Sequence, residues 1–332
     1  MRRATGVLVL AAVLVVAGGA AAGAVGAAPA PRDMAAYDWH NVSDVSIAQV
    51  RWRLGFLRAQ GFKTVYLELG DYLEAADQPD GPERQARLDA VRSKLRRYVA
   101  TATSLGLAVH ALGGGPAWTG ELSYLGRLLV RLVGEYNAAV AASERLQGVQ
   151  LDIEPYGDRS FFVDQQASFA GYLDTLSGIV ATYRPLPAQR ANRGLQLGFA
   201  IPFWFDGGDG APGPVLFNGA TKPVAQHIID MVGNLPGAYL VVMSYRNFTA
   251  GPDGSIAHVS SELWYARKVA AKCGLLVGQQ YADVSPAYIT FHGYSRREFG
   301  QAADAIIRAF ARYPQFRGLS VDDLDSYRAA RP

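Results

Sequence analysis

The chain has 332 residues, of which half are hydrophobic and 18% are charged, and its formal net charge is only +3. This length and composition indicate a globular protein with a large core. Lys and Arg are scattered rather than clustered, so we expect no nucleic-acid partner. Cys273 is the only cysteine, which excludes an intramolecular disulfide and a Cys-based metal site. The five histidines form no His-x-His or His-Glu-x-x-His motif, and we therefore expect no metal site and no cofactor.

The N-terminus has the layout of a secretory signal peptide. Two arginines at positions 2 and 3 precede an apolar run over residues 6–17, and small residues continue to Ala30. We therefore assign residues 1–30 to a signal peptide and linker. This predicts a secreted or cell-envelope protein with no stable membrane association after cleavage. An uncleaved membrane anchor is the alternative, because the apolar and small residues run on to Ala30.

Beyond residue 30, short apolar segments alternate with amphipathic ones. The predicted strands cover residues 34–40, 64–70, 107–112, 146–154, 194–201, 238–245, 275–280 and 318–323. The predicted helices cover 46–60, 82–105, 124–146, 161–183, 224–232, 261–273 and 296–313, with a Gly/Pro-rich loop over 207–219 and a terminal stub over 325–331. Continuous alternation of this kind implies a parallel sheet with helical crossovers. Eight units without a dinucleotide-type glycine motif after the first strand favour one closed (β/α)8 barrel, residues 31–332, over an open doubly wound sheet.

Polar and apolar side chains alternate along the fourth predicted strand, where the polar members are Gln150, Asp152 and Glu154. Alternate side chains of a strand share a face, so these three form a polar row, and Pro155 ends the strand just beyond it. The pattern alone is equally typical of an edge strand with a solvated face. In a (β/α)8 barrel, however, the active site lies at the C-terminal ends of the strands. As fourth of eight strands, this one directs its polar row inward and brings Glu154 to the barrel mouth.

The predicted strand ends together form a rim of carboxylates, amides and aromatic rings. Carboxylates suit glycosidic bond cleavage and aromatic rings suit the apolar faces of sugars, so we predict a carbohydrate substrate. The rim residues predicted to bind it are Gln150, Glu68, Trp39, Trp118, Trp204, Tyr156, Arg246, Gln280 and Asp322. Glu68 and Asp322 are also the candidates for a second carboxylate in a conventional two-carboxylate glycosidase. For the tryptophans, burial at helix–sheet contacts is an equally common alternative.

Three segments resemble motifs of the family 18 glycoside hydrolases, the chitinases and endo-N-acetylglucosaminidases. Gln147–Glu154 is similar to the Asp-Gly-x-Asp-x-Asp-x-Glu signature of that family. Leu112–Gly115 resembles its Ser-x-Gly-Gly element at the third strand, and Met243–Tyr245 resembles its Met-x-Tyr element at the sixth. The order of the three segments along the barrel is the order that the family has.

The resemblance implies a role for three residues. Glu154 would be the general acid/base, Asp152 would orient the substrate N-acetyl group that acts as internal nucleophile, and Tyr245 would assist it. Gln147 and Gln150 depart from the pattern, since the family has aspartates there, and the last strand carries Val-Asp-Asp-Leu in place of a tryptophan. These departures imply a distant relative.

Three hypotheses about function follow. The leading one is an exported, monomeric glycoside hydrolase acting on a polysaccharide or glycan, with Glu154 as acid/base; the resemblance implies an N-acetylated substrate. The second is a non-catalytic carbohydrate-binding barrel, which the glutamines at 147 and 150 favour. The third is a barrel hydrolase of other chemistry, such as polysaccharide deacetylation, which needs a metal that the few histidines do not favour.

Overall fold

The computed structural model describes residues 33–208 and 213–332, so the predicted signal peptide lies outside the described residues. Strands and helices alternate along the described chain. In order, they are β1 (Asp33–Asp38), α1 (Ile47–Ala59), β2 (Thr64–Glu68), α2 (Gly70–Ala76), α3 (Pro82–Ser104), β3 (Ala108–Gly113), α4 (Tyr124–Ala139), β4 (Gly148–Leu151), α5 (Gln165–Tyr183), β5 (Gln196–Pro202), β6 (Val215–Phe217), β7 (Ala220–Lys222), α6 (Val224–Val232), β8 (Ala238–Met243), α7 (Ser255–Lys268), β9 (Gly274–Gln280), α8 (Arg296–Phe310), β10 (Phe316–Asp322) and α9 (Leu324–Ala329).

Eight of these strands close into a parallel barrel with the neighbour order β1-β2-β3-β4-β5-β8-β9-β10, and β10 pairs back to β1. The predicted (β/α)8 barrel is therefore confirmed. The strands β6 and β7 form a separate antiparallel hairpin between β5 and α6, where the sequence pattern predicts only a loop. Their three-residue length is too short to give a periodic signal.

Helix boundaries follow local sequence signals. The helix α1 begins after Ser46, whose hydroxyl accepts a hydrogen bond from the Gln49 amide, while the Gln49 side chain accepts one from the Ser46 amide. Gly61 and Gly106 follow α1 and α3 with φ values of +83° and +72°, a conformation that glycine adopts without strain. The predicted glycine stops of both helices are confirmed. Within the two described ranges, no helix is both long and apolar enough to cross a bilayer.

Two helical segments differ from the prediction. The helix predicted over 261–273 begins earlier, at Ser255, and ends at Lys268. Its first turns bury the polar side chains of Ser255 and His258, so hydrophobic periodicity does not reveal them. The helix α2 was not predicted because seven residues span only two turns.

The strand β4 ends at Leu151, before the predicted end at residue 154. The Asp152 amide still donates to the Gly113 carbonyl at 3.0 Å, but regular pairing stops there. A short 3₁₀ turn over Pro155–Gly157 follows, because proline has no N–H for a ladder. Glu154 therefore lies on an irregular segment just outside the sheet.

Aromatic side chains, rather than aliphatic ones alone, fill the barrel interior. The Tyr37 and Tyr66 rings meet edge to face with centroids 4.8 Å apart, and Tyr66 lies 5.6 Å from the His110 ring. His110 Nδ1 and the Tyr239 hydroxyl are 2.8 Å apart and share a hydrogen bond. Such large rings leave little space inside, so neighbouring strands must present glycine at some inward positions.

Gly198 on β5 is one of these positions, and we expect Gly198→Ala to destabilise the protein by about 1–3 kcal/mol or more. A Cβ at this site would overlap Gln150 Oε1 and the Tyr239 ring, both of which are buried inside the barrel. Urea denaturation gives the free energy of unfolding. The matched control is Gly300→Ala on α8, where a Cβ meets no atom within 4 Å. Its stability should stay level or rise by roughly 0.5–1 kcal/mol, since alanine favours helix. Equal effects of the two substitutions would contradict the packing argument.

Candidate active site

Four carboxyl groups meet at the C-terminal mouth of the barrel. Glu68 is the last residue of β2, Asp322 is the last of β10, and Asp152 follows β4 directly. The negative charges of Glu154, Asp322 and Glu68 all raise the pKa of Asp152, in that order of size, so the four groups are electrostatic neighbours. The structure thus brings together all four carboxylates that the sequence predicted for the site.

Asp152 is the most perturbed acid of this group. Burial is the largest cause and raises its pKa well above the usual range, and the nearby carboxylates raise it further. Its Oδ1 atom is buried and has no hydrogen-bond partner among the described residues. A buried oxygen without a donor is unfavourable, so Asp152 offers a ready acceptor to an N–H or O–H group of a ligand.

Glu154 is held by an aromatic neighbour. The Tyr156 hydroxyl donates a 2.6 Å hydrogen bond to Glu154 Oε1. Burial first, and the charge of Glu154 second, raise the pKa of Tyr156, so the phenol stays protonated and remains a donor. The Tyr156 ring in turn packs edge to face on Trp204 with centroids 5.1 Å apart. One carboxyl oxygen of Glu154 is thereby fixed in position by the rim.

Backbone packing holds Asp152 from the other side. Gly114 has φ +153°, and a Cβ there would overlap the Asp152 carbonyl group. Only glycine allows the β3–α4 connection to approach the Asp152 backbone so closely. This is a physical reason for the glycine run after β3, which sequence reasoning recognised only by its resemblance to a motif.

Asp322 accepts hydrogen bonds from three side chains. Trp39 Nε1 donates to Oδ1 at 2.7 Å, and Gln280 Nε2 donates to Oδ2 at 2.8 Å. The Tyr245 hydroxyl lies 3.4 Å from the same Oδ2. Burial raises the pKa of Asp322, and the three donors oppose that effect. These four residues, all predicted for the site, therefore form one hydrogen-bonded network at the ends of β1, β8, β9 and β10.

Gln147 and Gln150, which stand where the motif has aspartates, have hydrogen-bond partners in the barrel wall. Gln150 is buried, and its Nε2 donates to the Tyr37 hydroxyl at 3.0 Å, which fits the predicted inward orientation of the polar row. Gln147 Oε1 accepts a 2.7 Å hydrogen bond from the Val109 amide, and its Nε2 donates to the Arg145 carbonyl. Both side chains thus connect structural elements rather than facing the rim. Tyr37 was missed by sequence reasoning, although it shares the strand parity of Trp39.

Two predicted binding residues, Trp118 and Arg246, are buried or already paired, and a third, Trp204, lies beside Tyr156. Trp118 is only 8% exposed and packs in the core beside Gly113, so the alternative of a helix–sheet contact describes its position. The Arg246 guanidinium pairs with Asp253 at 2.7 and 2.9 Å and also donates to the Tyr245 carbonyl. Trp204 packs on Tyr156 at the rim and borders a cavity of about 340 Å³.

Glu68 is poised to titrate near neutral pH, because burial raises its pKa from 4.5 to about 7. The Gly70 amide opposes this shift, and the charge of Asp71 adds to it. The folded state therefore binds this proton more tightly than the unfolded chain does. The contribution of Glu68 to stability falls as the pH rises from about 4.5 to about 7 and is lowest above that range.

We therefore compare the free energy of unfolding of Glu68→Gln with that of wild type at two pH values. The gain in the variant should be roughly 1–3 kcal/mol larger at pH 8 than at pH 5. Urea denaturation at both pH values measures the difference. Glu121→Gln, at an exposed position, is the control and should show no such pH dependence. A constant difference between wild type and Glu68→Gln across this range would refute the assignment.

Within the part of the chain that the structure describes, no three His, Cys, Asp or Glu side chains are grouped so that they could hold a metal ion. No family model matches the sequence, and no curated protein is detectably similar to it.

Similarity to solved structures is clear at the level of the fold. An endo-β-1,4-mannanase from Thermotoga petrophila matches 88% of this chain and 68% of its own, with 9% identity and a TM-score of 0.54. The catalytic domain of a β-amylase from Paenibacillus polymyxa matches 89% and 92%, with 10% identity and a TM-score of 0.52. A family 18 chitinase from Cycas revoluta, solved with (GlcNAc)3, matches 88% and 95%, with 12% identity and a TM-score of 0.50. The predicted likeness to family 18 barrels is thus confirmed for the fold, a (β/α)8 barrel that several kinds of glycoside hydrolase share.

Proposed function

We propose that the protein is an exported glycoside hydrolase that cleaves an N-acetylated glycan, with Glu154 as general acid/base. Two neighbouring features support this most. Glu154 is held in position by Tyr156, and the nearby Asp152 Oδ1 is buried and has no hydrogen-bond partner among the described residues. A hydrolase acting by substrate assistance needs an acid at the glycosidic oxygen and a second group that holds the acetamido oxygen against the opposite face of the anomeric carbon. The fold shared with three glycoside hydrolases agrees with this proposal.

The chemistry assigns one role to each group. Asp152 Oδ1 accepts the N–H of the substrate acetamido group, which turns the acetamido oxygen toward the anomeric carbon. Glu154 donates its proton to the glycosidic oxygen while the C1–O bond breaks and a bond from C1 to the acetamido oxygen forms. A water molecule then opens the resulting oxazolinium, and Glu154 takes up its proton. Burial keeps the Tyr245 phenol protonated by raising its pKa, so Tyr245 can turn its O–H from Asp322 Oδ2 to the acetamido oxygen when substrate binds.

The conventional alternative with two catalytic carboxylates is less well supported. Asp322 already accepts hydrogen bonds from Trp39, Gln280 and Tyr245, which leaves it little capacity to act as a nucleophile. Glu68 lies at the same mouth, and its raised pKa favours the protonated form up to neutral pH. Substrate assistance needs neither residue as a nucleophile.

The proposal is tested with matched pairs of aryl β-glycosides that differ only in having an acetamido or a hydroxyl group at C2. We expect turnover of the acetamido members only, and NMR of the first product should show retention of anomeric configuration because two displacements occur at C1. Equal turnover of both members would exclude substrate assistance, and inversion would point to two carboxylates with an activated water.

A second candidate function is carbohydrate binding without catalysis. The observation in its favour is that the Gln150 side chain, where the resembling family has an aspartate, has the Tyr37 hydroxyl as its one hydrogen-bond partner among the described residues. Calorimetry with N-acetylchito-oligosaccharides would reveal binding without turnover, and Glu154→Gln would then leave the affinity unchanged.

A further inference from the structure

We propose that Trp39 is the stacking platform for a sugar ring at the barrel mouth and that Asp322 is its positioning residue. The inference rests on the proposed function only in taking a sugar as the ligand. It assigns Asp322 to orientation rather than to substrate contact or catalysis.

Trp39 has the features of a fixed platform with one open face. It follows β1 directly, and 42% of its surface is exposed. One face of the indole stacks on the Tyr37 ring inside the barrel, with centroids 5.6 Å apart and an interplanar angle of 20°. The Tyr37 hydroxyl is held by Gln150 deeper in the barrel. Because one face is covered by Tyr37 and 42% of the residue is exposed, we assign the opposite face to a ligand above the mouth.

Asp322 fixes the tilt of that platform. Its Oδ1 accepts the indole N–H at 2.7 Å, which stops the ring from rotating about its bond to the backbone. Its Oδ2 accepts from Gln280 at 2.8 Å and lies 3.4 Å from the Tyr245 hydroxyl. One carboxylate thus sets the relative positions of the stacking ring and of the phenol proposed to contact the acetamido group.

The geometry also limits the class of sugar. An indole face packs against C–H groups and offers no hydrogen bond, while its N–H is already used by Asp322. A β-linked hexopyranose with equatorial substituents presents a flat face of axial C–H groups, which suits such a platform. Sugars with an axial hydroxyl on that face would pack less well.

The experiment uses the full chain with Glu154→Gln, so that binding is measured without turnover. Calorimetry gives Kd for three probes: the β-1,4-linked tetramers of N-acetylglucosamine, glucose and mannose. In this background we expect Trp39→Ala to raise the Kd of the best-bound probe about tenfold or more. Trp39→Phe, which keeps a ring but lacks the N–H, should have a smaller effect. Trp264→Ala, at another exposed tryptophan on α7, is the control and should leave Kd unchanged.

A double-mutant cycle tests the positioning role of Asp322. We expect Asp322→Ala to raise Kd severalfold when Trp39 is present and to add little in the Trp39→Ala variant, because Asp322 acts on binding through the indole. If the two substitutions raise Kd independently, so that their effects multiply, the positioning role is overturned. If the Kd of Trp39→Ala stays within twofold of its parent, the platform is overturned. Urea midpoints of all variants separate these results from unfolding.

The outcomes also separate this inference from the proposed function. Probes that bind but are not cleaved by the wild-type enzyme would refute hydrolysis, while the same cycle would still decide the platform. Cleavage with no effect of Trp39→Ala would refute the platform alone. If none of the three probes binds, both proposals fail.

Discussion

Replacing Glu154 by glutamine is expected to lower kcat by about 10²–10⁴-fold on an N-acetylated substrate while changing KM only a few-fold. The carboxamide has the shape of the acid, and its oxygen can still accept the 2.6 Å hydrogen bond from Tyr156. It cannot donate the proton that the leaving oxygen needs, so binding survives and the chemical step is lost. Steady-state kinetics on an aryl β-glycoside of N-acetylglucosamine measures both constants.

Glu121→Gln provides the matched control, because the same substitution at an exposed position outside the group of four carboxylates should leave kcat unchanged. The kcat of Tyr156→Phe should lie between those of Glu154→Gln and Glu121→Gln, since this substitution removes the donor to Glu154 Oε1 without removing the acid. A Glu154→Gln enzyme that keeps more than a tenth of the wild-type kcat would contradict the assignment of Glu154 as general acid/base.

Replacing Asp152 by asparagine should lower kcat by about 10²–10³-fold, and it should also raise stability. The activity falls because positive charge develops on the acetamido group as it attacks, and this charge favours the ionised form of Asp152, whereas an asparagine amide stays neutral. Stability should rise because the pKa of Asp152 is raised in the folded state, first by burial and then by neighbouring carboxylates. Above the usual pKa of an aspartate, the folded wild type therefore carries an unfavourable term that asparagine lacks.

The two effects are measured on the same preparations, by kinetics and by urea denaturation at pH 7. Asp283→Asn, at a carboxylate whose side chain is 85% exposed, is the control and should change neither quantity. A loss of activity accompanied by a loss of stability would indicate that Asp152 has a structural role instead. Opposite signs are the result that distinguishes a functional carboxyl from a structural one.

The fold was accessible from local patterns because each unit of a (β/α)8 barrel repeats the same signal. Apolar runs and amphipathic segments alternate, and Gly61 and Gly106 mark the ends of α1 and α3. The elements that escaped prediction have weak local signals. The hairpin β6–β7 has strands of three residues, and the first turns of α7 bury polar side chains such as His258.

The candidate site was predictable only in part. The parity of β4 correctly indicates that Gln150 lies inside, because alternation is a property of a single strand. For Trp39, Trp118 and Trp204, the sequence does not distinguish a sugar platform from a buried helix–sheet contact. The structure separates them, since Trp118 is in the core, Trp204 packs against Tyr156 at the rim, and Trp39 stacks on Tyr37 at the mouth.

By itself, the sequence determined the barrel, the order of its strands along the chain and the strand ends at which polar residues gather. Only the tertiary structure decided which of those residues meet and what each one does. Trp39 and Asp322 are 283 positions apart, and they meet only because β10 closes on β1. Asp152 likewise has a raised pKa because the closed barrel buries it, and Asp322 and Glu68 from other strands add to the effect of the nearby Glu154. Periodicity is a local property of the chain, whereas burial and hydrogen-bond partners depend on closure of the barrel.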